Sequence, residues 1–460
     1  MIDRVPTATV DEPAVRAIQN ECLACWAHFC LKQRGVTGGT AASCSRVELP
    51  QIDRPMEGEI AAYFSGGKQM SCTLLLTSFG DSEPHSIASC DNGSIGSLRR
   101  GYCLFIPMSD EIKWTPDAWP TSIGELNALV DHVTNDPTML ETWLMKKRGE
   151  SNQLRIVVLI HSDVCYGYLL GAPTLAGIGE LHVIPIFFDR LGTSWAFARE
   201  QHLEILQRRR SLRALVLGCD SLSSLVIEQI ARAGVGCIDI VDGEHADATH
   251  CAEQCLEADS IDLGKAQAMA DRLQRLLPTT QVNAHRVKAE RWVPSQCSPG
   301  RYDVVLDLTA EVSVRRMLVQ YRSQCFADTP ILHGWTEPFC VASHLILLAA
   351  GSDYPVEEPA LGVNVGHWPT EALVQLPLGG LGFHPYGSVE VAQAAGFIAE
   401  RSIAVIDGAV CESLVWSSVR SEGFFNKLGV GAVCSPCVPN SRNTFDSIQI
   451  TRSFLDIYGA

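Results

Sequence analysis

No stretch of this 460-residue chain reaches the roughly 18 consecutive apolar residues that a membrane-spanning helix needs. The nearest approach, Val341 to Gly351, is short and is broken by Ser343 and His344. A surplus of positive charge is also missing. The 36 Lys and Arg stand against 52 Asp and Glu, a net charge of −16, which is opposite to the basic footprint of a nucleic-acid binder. The one basic run, Arg208 to Arg210 followed by Arg213, reads as a solvated helix end. Met1 to Val15 holds acidic residues and no apolar core, so no secretory leader is predicted. Internal repeats and low-complexity tracts are lacking as well. These absences predict a cytoplasmic protein, without membrane or nucleic-acid partners, that binds proteins or small molecules.

What is present is a globular composition, 46% hydrophobic and 19% charged, with enough apolar residues for a sizeable core. At about 100–200 residues per domain, two or three domains are expected. Cysteine is abundant at 18, and without a leader these thiols are expected to be reduced. Several lie in apolar contexts, such as Cys237 in a strand pattern, where cysteine acts as a small hydrophobe.

Residues 1–150 read as a mixed α/β region of unknown role. Helical spacing runs from Glu12 to Lys32 and from Ser122 to Lys147, with short strands at Cys72–Thr77 and Tyr102–Pro107. Residues 151–210 read as connecting elements: strands Arg155–Ile160 and His182–Phe188, then a helix from Trp195 to Arg210. From 211 to 460 strands alternate with helices. Strands are predicted at Ala214–Leu217, Cys237–Val241, near Val282 and at Val304–Asp307, with helices at Ser221–Ala233 and Lys265–Leu277. That alternation predicts an α/β fold with a parallel, Rossmann-like sheet.

A nucleotide site in such a sheet needs a glycine-rich turn after the first strand and an acidic residue about 20 positions later for the ribose. Here the turn is Gly218-Cys219-Asp220-Ser221-Leu222-Ser223-Ser224, and Asp242 ends the next strand. Only the first of three glycine positions is glycine; Asp220 and Ser223 hold the others. As a phosphate motif alone this is weak. The longer segment "LRALVLGCDSLSSLVIEQIARAGVGCIDIVDGE" resembles the opening of the ThiF/MoeB family, the fold of ubiquitin-like-protein activating enzymes. "DLGKAQAMADRLQRLLPTTQV", "YDVVLDLT" and "PILHGWTEPFCVASH" resemble later segments of the same family, the last of them in members that occur with prokaryotic ubiquitin-like conjugation systems.

The resemblance implies a ThiF adenylation fold that activates a C-terminal glycine carboxylate with Mg-ATP. It places the nucleotide pocket at Gly218, Asp220, Ser223, Asp242, Lys265 and Asp307. This chain departs from the family where that chemistry needs cations and a metal ligand. The arginine expected on the γ-phosphate matches Glu253, the lysine position matches Gln267, and the metal-binding aspartate after "LDLT" matches Ala310. Asp220 adds a carboxylate to the anion cradle. Lost cations and an added anion disfavour a triphosphate, so a degenerate site with no cofactor is the expectation. An active site that recruits Asp307, Lys265 or Arg315, using ATP and Mg, is the alternative.

Cys434 and Cys437 form one CxxC pair and Cys22 and Cys25 another, which leaves a structural zinc as a minor reading beside buried thiols. Gly379 to Pro385, where related proteins tend to have a cysteine in a glycine-rich crossover segment, holds none; Cys340, Cys411 and Cys434 are the fallback transfer cysteines. His333, His344 and His384 fit no metal spacing and read as structural, and Glu337-Pro338 as a turn. The partners implied are a ubiquitin-like protein, a conjugating enzyme or an active activating-enzyme subunit, in a homodimer or heterodimer. A partner role in peptide modification is the further alternative.

Overall fold

The computed structural model describes residues 39–45, 53–65, 71–79, 98–109, 119–146, 153–161, 164–170, 183–190, 203–246, 254–277, 280–350, 352, 358–375, 382–383 and 385–458. The chain forms two units, Met1–Gln201 and His202–Ala460. The expected helix over residues 12–32 lies outside the described residues.

The first unit is a seven-stranded closed barrel. Its strands are β1 (Gly39–Ser45), β2 (Met56–Ser65), β3 (Ser71–Phe79), β4 (Leu98–Met108), β5 (Leu154–His161), β6 (Val164–Leu170) and β7 (Val183–Arg190), in the order β1-β3-β2-β4-β5-β6-β7. Parallel β1–β7 pairing closes it. Helices Ile123–Thr134 and Met139–Lys146 set Leu126, Val130, Leu140 and Trp143 into one apolar cluster with Ile106, Val157, Leu159 and Tyr168. The single helix expected over 122–147 is thus two, parted by Asn135 in the left-handed conformation, which caps the first. Residues 151–210 are not a connector into the second core. β5, β6 and β7 belong to the barrel, and among the described residues helix Leu203–Ser211 falls in the second unit.

The second unit carries an eight-stranded sheet. Its parallel half is β8 (Arg213–Leu217), β9 (Cys237–Val241), β10 (Gln281–His285), β11 (Val304–Asp307) and β12 (Ile331–Thr336), in the order β10-β9-β8-β11-β12. Three antiparallel strands extend it: β13 (Ala342–Leu348), β14 (Leu414–Arg420) and β15 (Ser447–Ser453). β8, β9 and β11 are mostly apolar and almost wholly buried because both of their faces are covered. One face carries a cluster that includes Val226, Ile227, Ile230 and Met269; the other includes Leu215, Val305, Trp292 and Phe326. Helix Ser221–Arg232 presents Val226, Ile227, Ile230 and Ala231 to the first of these, each large side chain worth about 1.5–3 kcal/mol on burial. The strand order breaks between β8 and β11, and open α/β sheets bind ligands at that point, outside the carboxyl ends of the strands.

Candidate functional site

β8 ends at Leu217, and the chain turns through Gly218 at a φ of 94°, which a side chain would resist. A β-carbon there would also meet Thr309 Cγ2 at 3.2 Å, so the turn after β8 presses on the turn after β11. Asp220 then caps helix Ser221–Arg232. The Asp220 N–H donates to Ser223 Oγ at 2.6 Å, and the Ser221 hydroxyl is hydrogen-bonded to the Tyr386 hydroxyl. The N-cap N–H and the Ser221 hydroxyl, at a helix N-terminus where a phosphate would look for donors, are therefore engaged by the chain's own groups. Tyr386 was not legible as a site residue; it comes from the segment before helix Ser388–Ile406, far along the chain.

Lys265, the first residue of helix Lys265–Leu276, reaches into this turn. Its ammonium, 1% exposed, pairs with Asp220 Oδ1 and with Glu244 Oε2 at 2.6 Å, whereas those two carboxylates are 53% and 69% exposed. Burial disfavours the Lys265 charge, but the bonds from Asp220 and Glu244 outweigh it and raise the pKa above the ordinary lysine value. The carboxylate expected to stand unopposed in the anion cradle thus has a cation within the chain. Gln267 lies about 200° further round the helix, exposed, and donates to Asp271. Glu253 lies outside the described residues.

Asp242 is buried at the end of β9. Its Oδ2 accepts from the Cys219 N–H and its Oδ1 from the Glu244 N–H, both at 2.7 Å. Burial is the leading cause that raises its pKa above the ordinary carboxylate range. Asp307, buried at the end of β11, is hydrogen-bonded to His333 Nδ1 at 2.9 Å and accepts from the Thr309 hydroxyl at 2.7 Å and the Thr309 N–H at 3.1 Å. Burial opposes its charge, yet the His333 and Thr309 bonds hold its pKa low. Ala310 follows in the left-handed region at φ 55° and is exposed. Arg315 is paired with Glu358. Gly218, Asp220, Ser223, Asp242 and Lys265 converge on one cleft edge, with the Asp307–Ala310 turn against it; each carboxylate and the ammonium already has a partner.

The remaining candidates sit elsewhere. Among the described residues no group of three or more His, Cys, Asp or Glu is arranged to hold a metal. Cys434 and Cys437 are half-buried, the Cys437 thiol lying 3.4 Å from Ser435 Oγ; Cys22 and Cys25 are outside the described residues. Burial raises the Cys340 thiol to about 11 and raises that of Cys434 also, against the thiolate character that transfer requires. Cys411 is exposed. Glu337 does more than shape a turn. Buried, it accepts from the Val365 N–H at 2.6 Å and the Gly366 N–H at 2.8 Å and meets His344 Nε2 at 2.8 Å, while His344 Nδ1 meets Ser417 Oγ at 2.8 Å. With 0% of His344 and Ser417 exposed, this chain of groups has no access to a substrate. His384 lies outside the described residues.

Residues 193–340 match the model of the ThiF family. The adenylyltransferase and sulfurtransferase UBA4 of Yarrowia lipolytica is 29% identical over 125 residues, 27% of this chain and 29% of that protein. The ATP-dependent ubiquitin transferase-like protein Cap2 of Enterobacter hormaechei is 28% identical over 114 residues, 24% of this chain and 19% of that protein. The chain thus spans under a third of the length of these two relatives. The crystal structure of E. coli MccB with MccA-N7isoASN covers 49% of this chain and 68% of that chain at 13% identity, with a TM-score of 0.37.

Proposed function

We propose that this chain, whose residues 193–340 carry a ThiF-family domain, is an activating-enzyme-like component of a prokaryotic ubiquitin-like conjugation system that works by binding protein and no longer adenylates. One observation carries the reading. The three groups that could replace the lost ATP ligands are committed within the chain: Lys265 to Asp220 and Glu244, Asp307 to His333 and Thr309, and Arg315 to Glu358. A triphosphate would have to take Lys265 from two carboxylates beside the helix N-terminus, and an alanine stands where its metal would need a carboxylate. The residues present do not fit Mg-ATP.

What the cleft keeps is its scaffold: the turn, the crossing loop at Tyr386 and the acidic rim of Asp220 and Glu244. In this reading the ubiquitin-like protein, a conjugating enzyme or an active activating subunit docks on that scaffold, with the chain in a homodimer or heterodimer and the system serving antiviral defence. Calorimetry with Mg-ATP tests the reading, comparing the native chain with the Asp220→Gly, Ala310→Asp double variant. No heat from the native chain and measurable binding by the variant is the expected result. Micromolar binding by the native chain, with ATP–pyrophosphate exchange stimulated by a Gly-Gly-ended peptide, would overturn it.

A further inference from the structure

Beyond β9 and β10 the carboxyl ends of the sheet open into a cavity of about 560 Å³ lined by Gly243, Arg286, Val287, Lys288, Glu290 and Arg291. It is an open groove rather than an enclosed pocket, wide enough for a small anion. Three of the six lining residues are cations in a protein of net charge −16. All three are exposed, and none pairs with a carboxylate among the described residues. The one carboxylate, Glu290, accepts a hydrogen bond from Ser313 Oγ at 2.7 Å. Three cations against one carboxylate leave the lining at +2.

Gly243 lines the groove, and Gly264 lies beneath one of its arginines. A β-carbon on Gly264 would meet Arg286 Cδ at 2.9 Å, so the arginine stem lies across that glycine. A β-carbon on Gly243 would meet the Lys288 N at 3.3 Å, so the two strand-end loops close on each other. The planar donors of the two arginines match the oxygens of a phosphate group.

We propose that this cavity binds the phosphate group of a small phosphomonoester, a group that carries about −1.5 to −2 charges at pH 7, held by Arg286, Lys288 and Arg291. The acidic chain as a whole repels nucleic acid. The inference does not rest on the cleft being inactive, because none of the three cations belongs to the Lys265 cluster.

Inorganic phosphate is the probe. Its binding to the full chain is measured by calorimetry and by thermal unfolding, against chloride at equal ionic strength and against acetate. Phosphate-specific binding that weakens about tenfold in Arg286→Ala, Arg291→Ala is expected. Lys288→Ala alone and Gly264→Ala, which displaces the Arg286 stem, should each weaken it by less. Circular dichroism of each variant shows whether it folds, and the substituted cations are exposed. No gain over chloride, acetate binding as tightly as phosphate, or a double variant that binds like the native chain would each overturn the proposal. So would a DNA oligonucleotide that binds through the same residues more tightly than phosphate.

Discussion

Ala310 is a non-glycine residue held at φ 55°, a conformation that costs an alanine about 1 kcal/mol relative to glycine. Ala310→Gly should therefore raise stability by about 0.5–1 kcal/mol in urea unfolding, and Ala310→Asp should cost little, since aspartate tolerates this region better. Loss of stability in both variants would show that the turn's strain lies elsewhere. Lys265 has the opposite character. Lys265→Met removes the shared partner of Asp220 and Glu244 and leaves two carboxylates at one helix end. We expect a loss of about 1–3 kcal/mol, the upper figure reduced because both carboxylates are largely exposed. The triple variant that also carries Asp220→Asn and Glu244→Gln should recover part of it. Gly218, Asp242 and the Asp220–Lys265 neighbourhood were legible from spacing, because each stands at the end of a strand or the start of a helix. Glu244, Tyr386 and the His333 partner of Asp307 were not, since their contacts cross between turns whose approach no local pattern encodes.

At the level of the elements, legibility followed burial. Cys237–Val241 and Val304–Asp307 were predicted at their observed bounds, because strands covered on both faces are rich in apolar residues and flanked by turn residues. β2, with the sequence MEGEIAAYFS, neither alternates cleanly nor runs apolar, and it passed unread. The antiparallel extension depends on a buried tie, Glu337 to His344 to Ser417, that joins β13, β14 and the 365–366 loop. Burial is the main cause that lowers the His344 pKa from its ordinary value of 6.5. The unfolded chain therefore binds the proton more readily, and stability falls as pH drops below about 6.5, by up to roughly 1.4 kcal/mol per unit until the folded pKa is reached. His344→Gln should flatten this slope between pH 6.5 and 4.5 in denaturant titrations. An unchanged slope would place the acid sensitivity in another group.

On the scale of the whole molecule, β5, β6 and β7 belong to the barrel, and the unit boundary falls after Gln201 rather than at the expected 150/151 and 210/211 divisions. The cause is topological: β5 pairs in parallel with β4, and β7 in parallel with β1, across long sequence separations that periodicity cannot register. The two units also differ in how they end. Among the described residues every barrel strand has a neighbour on both sides, which leaves no open strand edge there. The eight-stranded sheet has two borders, β10 and β15. β15 carries Ile448, 44% exposed, close in sequence to Phe445, which is 82% exposed. Runaway strand-by-strand growth into filaments, if this protein is heated or concentrated, therefore has its most adhesive starting line at β15, and a lysine at 448 is the change that should blunt it.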